Sequence, residues 1–293
     1  MGTNELSSPS SPVHAIIFPF MSKGHTVPLL HFARILLHRH LAVTVFTTPA
    51  NRPFVSQMVQ DTAAAVIDLP FPHGIADIPA GVESTDKLPS ISLFHAFASA
   101  TSLMKPHFEH ALRSLPRVTF MVSDAFLWWT LDSASKFGFH RFVFYGMSNY
   151  CHALYQEVIQ SGFLGGPQPL DELVTLTRFP WIRVSKNDFD LSFRSQDHMF
   201  FNKVRLTAFN SYGRIVNSFY ELEPDFADFV NREMSLKSWS VGPLCLAAKL
   251  GPIRKTELES NQIKKPVWVK WLDQKLEEKS SVLYVAFGSQ INI

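Results

Sequence analysis

The stretch VHAIIFPFMSKGHTVPLLHFARILL, residues 13–37, changes its periodicity halfway along. Residues 13–20 form an apolar run of strand length, and apolar side chains recur at helical spacing over residues 27–40. A short polar turn separates the two patterns. Because proline is favoured in the first turn of a helix, we predict a helix beginning near Pro28. The stretch therefore predicts a strand–turn–helix unit with one histidine, His25, in its turn.

The same alternation continues along the chain. Runs rich in β-branched and aromatic residues predict strands at 41–48, 64–71, 118–124 and 141–146, and helical patterns lie at 90–115 and 125–138. Strands that alternate with helices form βαβ units, whose parallel strands need cover on both faces. We therefore predict an α/β fold with a Rossmann-like parallel sheet and helices on both faces.

Composition predicts four segments. Residues 1–12 are rich in Ser and Pro, which is typical of a disordered tail. Residues 13–246 hold the α/β pattern, and the polar, charged residues 247–266 predict an exposed linker. Residues 267–293 contain a short amphipathic helix and a buried strand, SVLYVAFGS, and predict the start of a second domain. A buried parallel strand needs neighbours, so we expect the chain to be truncated.

Bulk composition argues against several classes of protein. The net charge is 27 − 25 = +2 and no basic cluster occurs, so we expect no nucleic-acid partner. The two cysteines form neither a metal motif nor a disulfide framework. There is no signal-peptide pattern and no apolar run of about 18 residues, so we expect a cytoplasmic monomer without a membrane span.

Two polar residues follow predicted strands. His25 comes after the first strand, and Asp124 ends the strand VTFMVSD before a helix predicted from Ala125. Ligands of open α/β sheets bind at the carboxyl ends of the strands, where these residues would meet. A carboxylate that accepts from one imidazole nitrogen makes the other a base, and a helix N-terminus favours the neutral imidazole. Two alternatives remain: Asp124 caps the next helix, and His25 is an exposed loop residue.

Other motifs are weaker. No glycine-rich phosphate loop is present in these strands. The segment GMSNY, residues 146–150, lacks the second glycine of a nucleophile elbow, so a hydrolase built on His25 and Asp124 has no evident nucleophile. His107 and His110 share a helix face without a third ligand in view. We therefore expect no metal.

Several stretches in order resemble the plant family-1 UDP-dependent glycosyltransferases, which have the GT-B fold. They run from residue 13 to residue 290 and include FPFMSKGHTVPLLHFARILL, VTVFTTPAN, FMVSDAFLWWT, IVNSFYELEP, SWSVGPLC, WVKWLDQK and SVLYVAFGSQ. The resemblance implies that residues 13–246 form the acceptor-binding domain. It also implies that His25 deprotonates the acceptor hydroxyl and that Asp124 orients His25.

The resemblance assigns further residues. Gly24, His25 and Phe126 are expected at the acceptor site, and Tyr145, Gly288 and Ser289 at a partial donor site. It implies inverting transfer of a sugar, glucose from UDP-glucose, to a hydroxyl of a small plant metabolite such as a flavonoid, without a metal or other cofactor. The family's Trp-rich donor signature is missing, so we expect negligible activity. The alternative function is a non-catalytic acceptor-binding or regulatory module.

Overall fold

The computed structural model of this chain describes residues 13–189, 198–250 and 266–285. Strands and helices alternate through most of these ranges. The strands are β1 (His14–Phe18), β2 (Ala42–Thr47), β3 (Ala65–Asp68), β4 (Phe120–Asp124), β5 (His140–Tyr145), β6 (Val174–Thr175), β7 (Arg183–Val184), β8 (Gly213–Val216) and β9 (Ser238–Ser240). The helices are α1 (Lys23–His38), α2 (Arg52–Val59), α3 (Phe94–Ala100), α4 (Lys105–Arg113), α5 (Thr130–Phe137), α6 (Asn149–Gln160), α7 (His198–Phe209), α8 (Pro224–Glu233) and α9 (Val267–Glu277).

Seven strands form one parallel sheet in the order β3–β2–β1–β4–β5–β8–β9, and β6 and β7 form a small antiparallel pair. Apolar clusters fill both faces of the sheet. One cluster packs Ile16 and Phe18 against α3, α4 and α5, and the other packs Ile17 against α1 and α2. The alternation of buried side chains along β1 thus serves two cores, and the predicted fold class is confirmed.

Helix α1 begins earlier than predicted. The Ser22 carbonyl accepts hydrogen bonds from the backbone N–H groups of His25 (3.0 Å) and Thr26 (2.8 Å), so helical bonding starts ahead of Pro28. The predicted start near Pro28 is wrong because proline here lies inside the helix, which begins at Lys23. His25 consequently lies in the first helical turn, which holds its side chain more firmly than an open loop.

The helix predicted from Ala125 begins at Thr130 instead. Asp124 Oδ1 accepts from the Phe126 N–H at 2.9 Å, and the Asp124 carbonyl accepts from the Leu127 N–H at 3.1 Å. These bonds stabilise a turn between β4 and the helix. Competition from an aspartate side chain for nearby N–H groups is a common reason for such a turn.

The predicted strand at residues 281–289 is wrong for residues 281–285. None of the described strands pairs with this segment, and Leu283 and Tyr284 are 86% and 87% exposed. Apolar side chains are buried in a sheet only when neighbouring strands and helices cover them. The predicted tail at 1–12, residues 251–265 of the predicted linker, and residues 286–293 lie outside the described residues. No helix in the described ranges is long and apolar enough to cross a bilayer.

Candidate active site

The sheet has a topological switch point between β1 and β4. The chain leaves β1 towards β2 on one side, whereas β4 leads to β5 on the other. Connections that diverge in this way leave a crevice at the carboxyl ends of the two strands, which is where α/β sheets bind ligands. His25 follows β1 and Asp124 ends β4, so both residues lie at this crevice.

His25 and Asp124 form a hydrogen-bonded pair. His25 Nδ1 lies 2.7 Å from Asp124 Oδ2, and the carboxylate is buried. The other carboxylate oxygen accepts from the Phe126 N–H, so both oxygens are occupied. An ionised carboxylate only accepts, so His25 Nδ1 carries the proton. His25 Nε2 has no hydrogen-bond partner among the described residues, and 25% of the side chain is exposed. The geometry therefore presents a basic nitrogen at an open site.

The environment of His25 favours its protonated form. Burial lowers the pKa of His25 and is the largest single effect, but the charge of Asp124 and the hydrogen bond to it together raise the pKa above 6.5. The sequence argument that a helix N-terminus favours the neutral imidazole is thus overridden, because a carboxylate at contact distance outweighs the partial charge of a helix end. Asp124 stabilises the imidazolium that forms when His25 accepts a proton.

Aromatic rings surround the imidazole on one side. We call Phe20, Phe94, Phe126 and Phe200 the aromatic cluster. The ring centroids of Phe20 and Phe126 lie 5.8 and 5.4 Å from that of His25, and Phe126 contacts Phe94 at 5.1 Å and Phe200 at 6.1 Å. Phe20 is fully buried, whereas Phe126 is partly exposed. Such a surface suits a flat, apolar ligand beside the basic nitrogen.

The other predicted site residues are placed differently. Tyr145 ends β5, and its ring packs edge-on against His152 at 4.6 Å and beside the Arg214 guanidinium at 5.6 Å. Burial raises the pKa of the Tyr145 hydroxyl, so this group is neutral at physiological pH. Gly24 lies in the first turn of α1 with open space where a Cβ would stand. Gly288 and Ser289 lie outside the described residues.

Sequence reasoning missed most of the aromatic cluster and the position of Gly146 beside the His25 ring. A Cβ on Gly146 would lie 3.6 Å from His25 Cε1, so this glycine lines the imidazole ring directly. Phe20 sits two residues after β1, and its position beside a strand end was a usable signal. Phe94 and Phe200 come from helices distant in sequence, and no local pattern indicates that they meet. Among the described residues, no group of three or more His, Cys, Asp or Glu side chains is placed to hold a metal ion.

The fold and the crevice define a Rossmann-like domain with a crevice at its switch point. No family model matches the chain. Solved structures of plant glycosyltransferases share its fold. Glycyrrhiza uralensis UGT73P12, complexed with glycyrrhetinic acid 3-O-monoglucuronide, has a TM-score of 0.74 and 24% identity over 90% of this chain and 55% of that one. Arabidopsis thaliana UGT89C1, complexed with UDP, has a TM-score of 0.70 and 26% identity over 96% and 60%.

Sequence comparison matches nearly the whole chain to plant UDP-glycosyltransferases. It is 48% identical to UDP-glycosyltransferase 90A1 of Arabidopsis thaliana over 96% of this chain and 60% of that protein. It is 30% identical to UDP-glucose flavonoid 3-O-glucosyltransferase 7 of Fragaria ananassa over 95% of this chain and 58% of that protein. The chain thus spans about 60% of the length of the curated relatives it matches.

Proposed function

We propose that this chain provides the acceptor site and the catalytic base of an inverting UDP-glycosyltransferase that acts on small plant metabolites. The single observation that carries the proposal is the contact of 2.7 Å between His25 Nδ1 and the buried carboxylate of Asp124 at the switch point. The pair leaves Nε2 as the basic atom on the exposed side. The kinship to plant UDP-glycosyltransferases supplies the reaction class.

In the proposed reaction, His25 Nε2 takes the proton of the acceptor hydroxyl. The acceptor oxygen then forms a bond to the anomeric carbon of the sugar, and the bond from that carbon to the UDP oxygen breaks. UDP leaves with the bonding electrons, and attack from the opposite face inverts the anomeric configuration. The proton stays on His25, where Asp124 stabilises the imidazolium. Positioned bases of this kind contribute about 10²- to 10⁴-fold to the rate.

The acceptor class follows from the aromatic cluster. Phe126 stands beside the imidazole, and its partly exposed neighbours extend the apolar surface. A flat polyphenol such as a flavonol matches this surface and carries hydroxyl groups acidic enough to be deprotonated near neutral pH. The flavonoid glucosyltransferase from Fragaria ananassa among the relatives supports a flavonoid acceptor and glucose as the sugar. Gly24 leaves open space at the same crevice.

The proposal assigns only a few residues to the binding of the sugar donor. We assign Tyr145, Gly288 and Ser289 to contacts with the UDP-sugar, on the family resemblance. A polypeptide of these 293 residues corresponds to about 60% of a relative, so we expect it to bind the acceptor and to transfer sugar at a negligible rate. The sugar nucleotide serves as a co-substrate, and no metal is assigned.

Two measurements test the proposal. In the first, quenching of tryptophan fluorescence by a flavonol measures acceptor binding to the 293-residue polypeptide. Phe126→Ala should weaken binding about tenfold, since it removes a ring worth roughly 1–2 kcal/mol of contact. Unchanged affinity in this variant would remove the aromatic cluster from the acceptor site. Acceptor binding together with a chimera that transfers no sugar in the second measurement would favour a non-catalytic binding module.

The second measurement uses a chimera that joins this chain to the remaining length of UDP-glycosyltransferase 90A1. With UDP-glucose and a flavonol, His25→Ala should lower kcat at least about 10²-fold. His31→Ala is the matched control, because His31 lies on the same helix without contact to Asp124. It should retain most activity. An active His25→Ala chimera would exclude His25 as the base.

A further inference from the structure

A buried arginine lies behind the His25–Asp124 pair. Arg141, on β5, is 1% exposed, and each nitrogen of its guanidinium has an acceptor. Nε donates to Ser123 Oγ (2.7 Å), Nη1 to Ser211 Oγ (2.8 Å) and Nη2 to the backbone carbonyl of Asp124 (3.1 Å). A planar guanidinium satisfied at three points has a single orientation. It therefore ties the end of β4 to β5 and to the segment after α7.

The sheet register shows how far this side chain reaches. Arg141 is paired with Met121, whereas Asp124 is paired with Phe144, three residues further along the strands. Three residues correspond to about 10 Å of strand. The arginine side chain therefore extends along the sheet towards the carboxyl end of β4, where it donates to Ser123 and to the Asp124 carbonyl. Its bond to the Asp124 carbonyl acts on the same residue whose carboxylate contacts His25.

The Arg141 guanidinium also carries a buried positive charge. The three acceptors of Arg141 are neutral oxygens, and Asp124 provides a negative charge that acts on its guanidinium at neutral pH. Burial lowers the pKa of Arg141 to about 10, against the effects of Tyr145 and Asp124, so the guanidinium is protonated at neutral pH.

We propose that Arg141 is a positioning residue that holds Asp124 against His25. Its bond to the Asp124 carbonyl fixes the end of β4 and with it the position of the carboxylate. The inference rests on the proposed function, since it concerns the same pair. It predicts that loss of the arginine loosens the contact between Asp124 and His25, although Arg141 itself touches neither the imidazole nor an acceptor.

The test is an NMR titration of the His25 imidazole in the 293-residue polypeptide, which needs no turnover. The His25 signal is assigned by its loss in His25→Gln. Asp124→Asn should lower the pKa of His25, and Arg141→Met should produce roughly half of that downward shift, since the carboxylate remains but is less well placed. Arg141→Lys keeps the charge without the three-point fork and should resemble Arg141→Met. Arg214→Met, which removes another buried arginine, should leave the titration unchanged.

The outcomes separate the two proposals. If Asp124→Asn does not move the titration, the proposed role of the pair fails. If Asp124→Asn moves it and Arg141→Met does not, the positioning role alone is overturned. Wild-type behaviour of Arg141→Lys would overturn positioning by hydrogen bonds. Should the Arg141 variants fail to fold, Ser211→Ala removes one acceptor of the guanidinium and should give a smaller shift in the same direction; no shift in that variant counts against the inference.

Discussion

Replacement of Asp124 by asparagine changes the charge of the pair and also its hydrogen-bonding pattern. Asp124 Oδ1 accepts from the Phe126 N–H, so the asparagine oxygen is held at that position. The amide NH₂ then faces His25 Nδ1, which must accept rather than donate. The neutral imidazole consequently carries its proton on Nε2. In this tautomer the atom proposed to take the acceptor proton is already protonated.

The expected loss of kcat/KM in Asp124→Asn has two parts. A hydrogen bond to a charged group is worth about 1.5–3 kcal/mol, and Asp124 makes such a bond to the imidazolium at 2.7 Å from a fully buried position. At about 1.4 kcal/mol per factor of ten, its loss alone lowers kcat/KM roughly 10- to 150-fold. The wrong tautomer adds to this loss, so the decrease should reach or exceed the upper figure.

Two assays examine this expectation. Long-range ¹H–¹⁵N correlation spectra of the 293-residue polypeptide report the tautomer, and they should show the proton on Nδ1 in the wild type and on Nε2 in Asp124→Asn. In the chimera, the acid limb of the kcat/KM profile should move to lower pH in the variant, because the carboxylate that raises the pKa of His25 is gone. The profile should also have a lower plateau. A variant with the wild-type tautomer and a loss below about threefold would refute the reasoning.

Three further results are expected. Glu223 accepts hydrogen bonds from three N–H groups of the first two residues of α6. Glu223→Gln should therefore lower the free energy of unfolding, measured by urea titration, by about 1–3 kcal/mol. Glu221→Gln is the control, because Glu221 is exposed, and should change it by less than about 0.5 kcal/mol. Gly146→Ala should keep the His25 tautomer and Gly146→Leu should disrupt it, because only a Cβ fits against the ring. The folded-state pKa of His25 is raised, so its stabilising effect is full below pH about 6.5 and is lost as pH rises through the folded-state pKa. Urea titrations of wild type and His25→Gln from pH 5 to 8 should therefore converge; a constant difference would contradict this.

Local patterns predicted elements better than they predicted where those elements begin. The strand–turn–helix at residues 13–37 exists, yet its helix starts at Lys23 and not near Pro28. The reason is that the backbone N–H groups of the turn donate to the Ser22 carbonyl, and the preference of proline for the first helical turn does not predict these bonds. Likewise, Asp124 holds a turn before α5 instead of starting a helix.

Whether an individual segment is buried depends on neighbouring strands and side chains that the local sequence pattern does not reveal. The apolar run at 281–285 has the composition of a core strand but is exposed, because no described strand lies beside it. Arg141 shows the opposite case. A charged residue in a strand normally marks an exposed face, yet Arg141 is buried because Ser123, Ser211 and the Asp124 carbonyl supply acceptors.

The sequence by itself determined the α/β class, since periodicity alternates between that of strands and helices, and it placed His25 and Asp124 at strand ends. Their meeting at 2.7 Å was decided by the tertiary structure, because the order β1–β4 makes strands neighbours that are about 100 residues apart. The same holds for Phe94, Phe200 and Arg141, which reach the crevice from separate elements. Contacts between distant segments depend on strand order and register, which local side-chain patterns leave open.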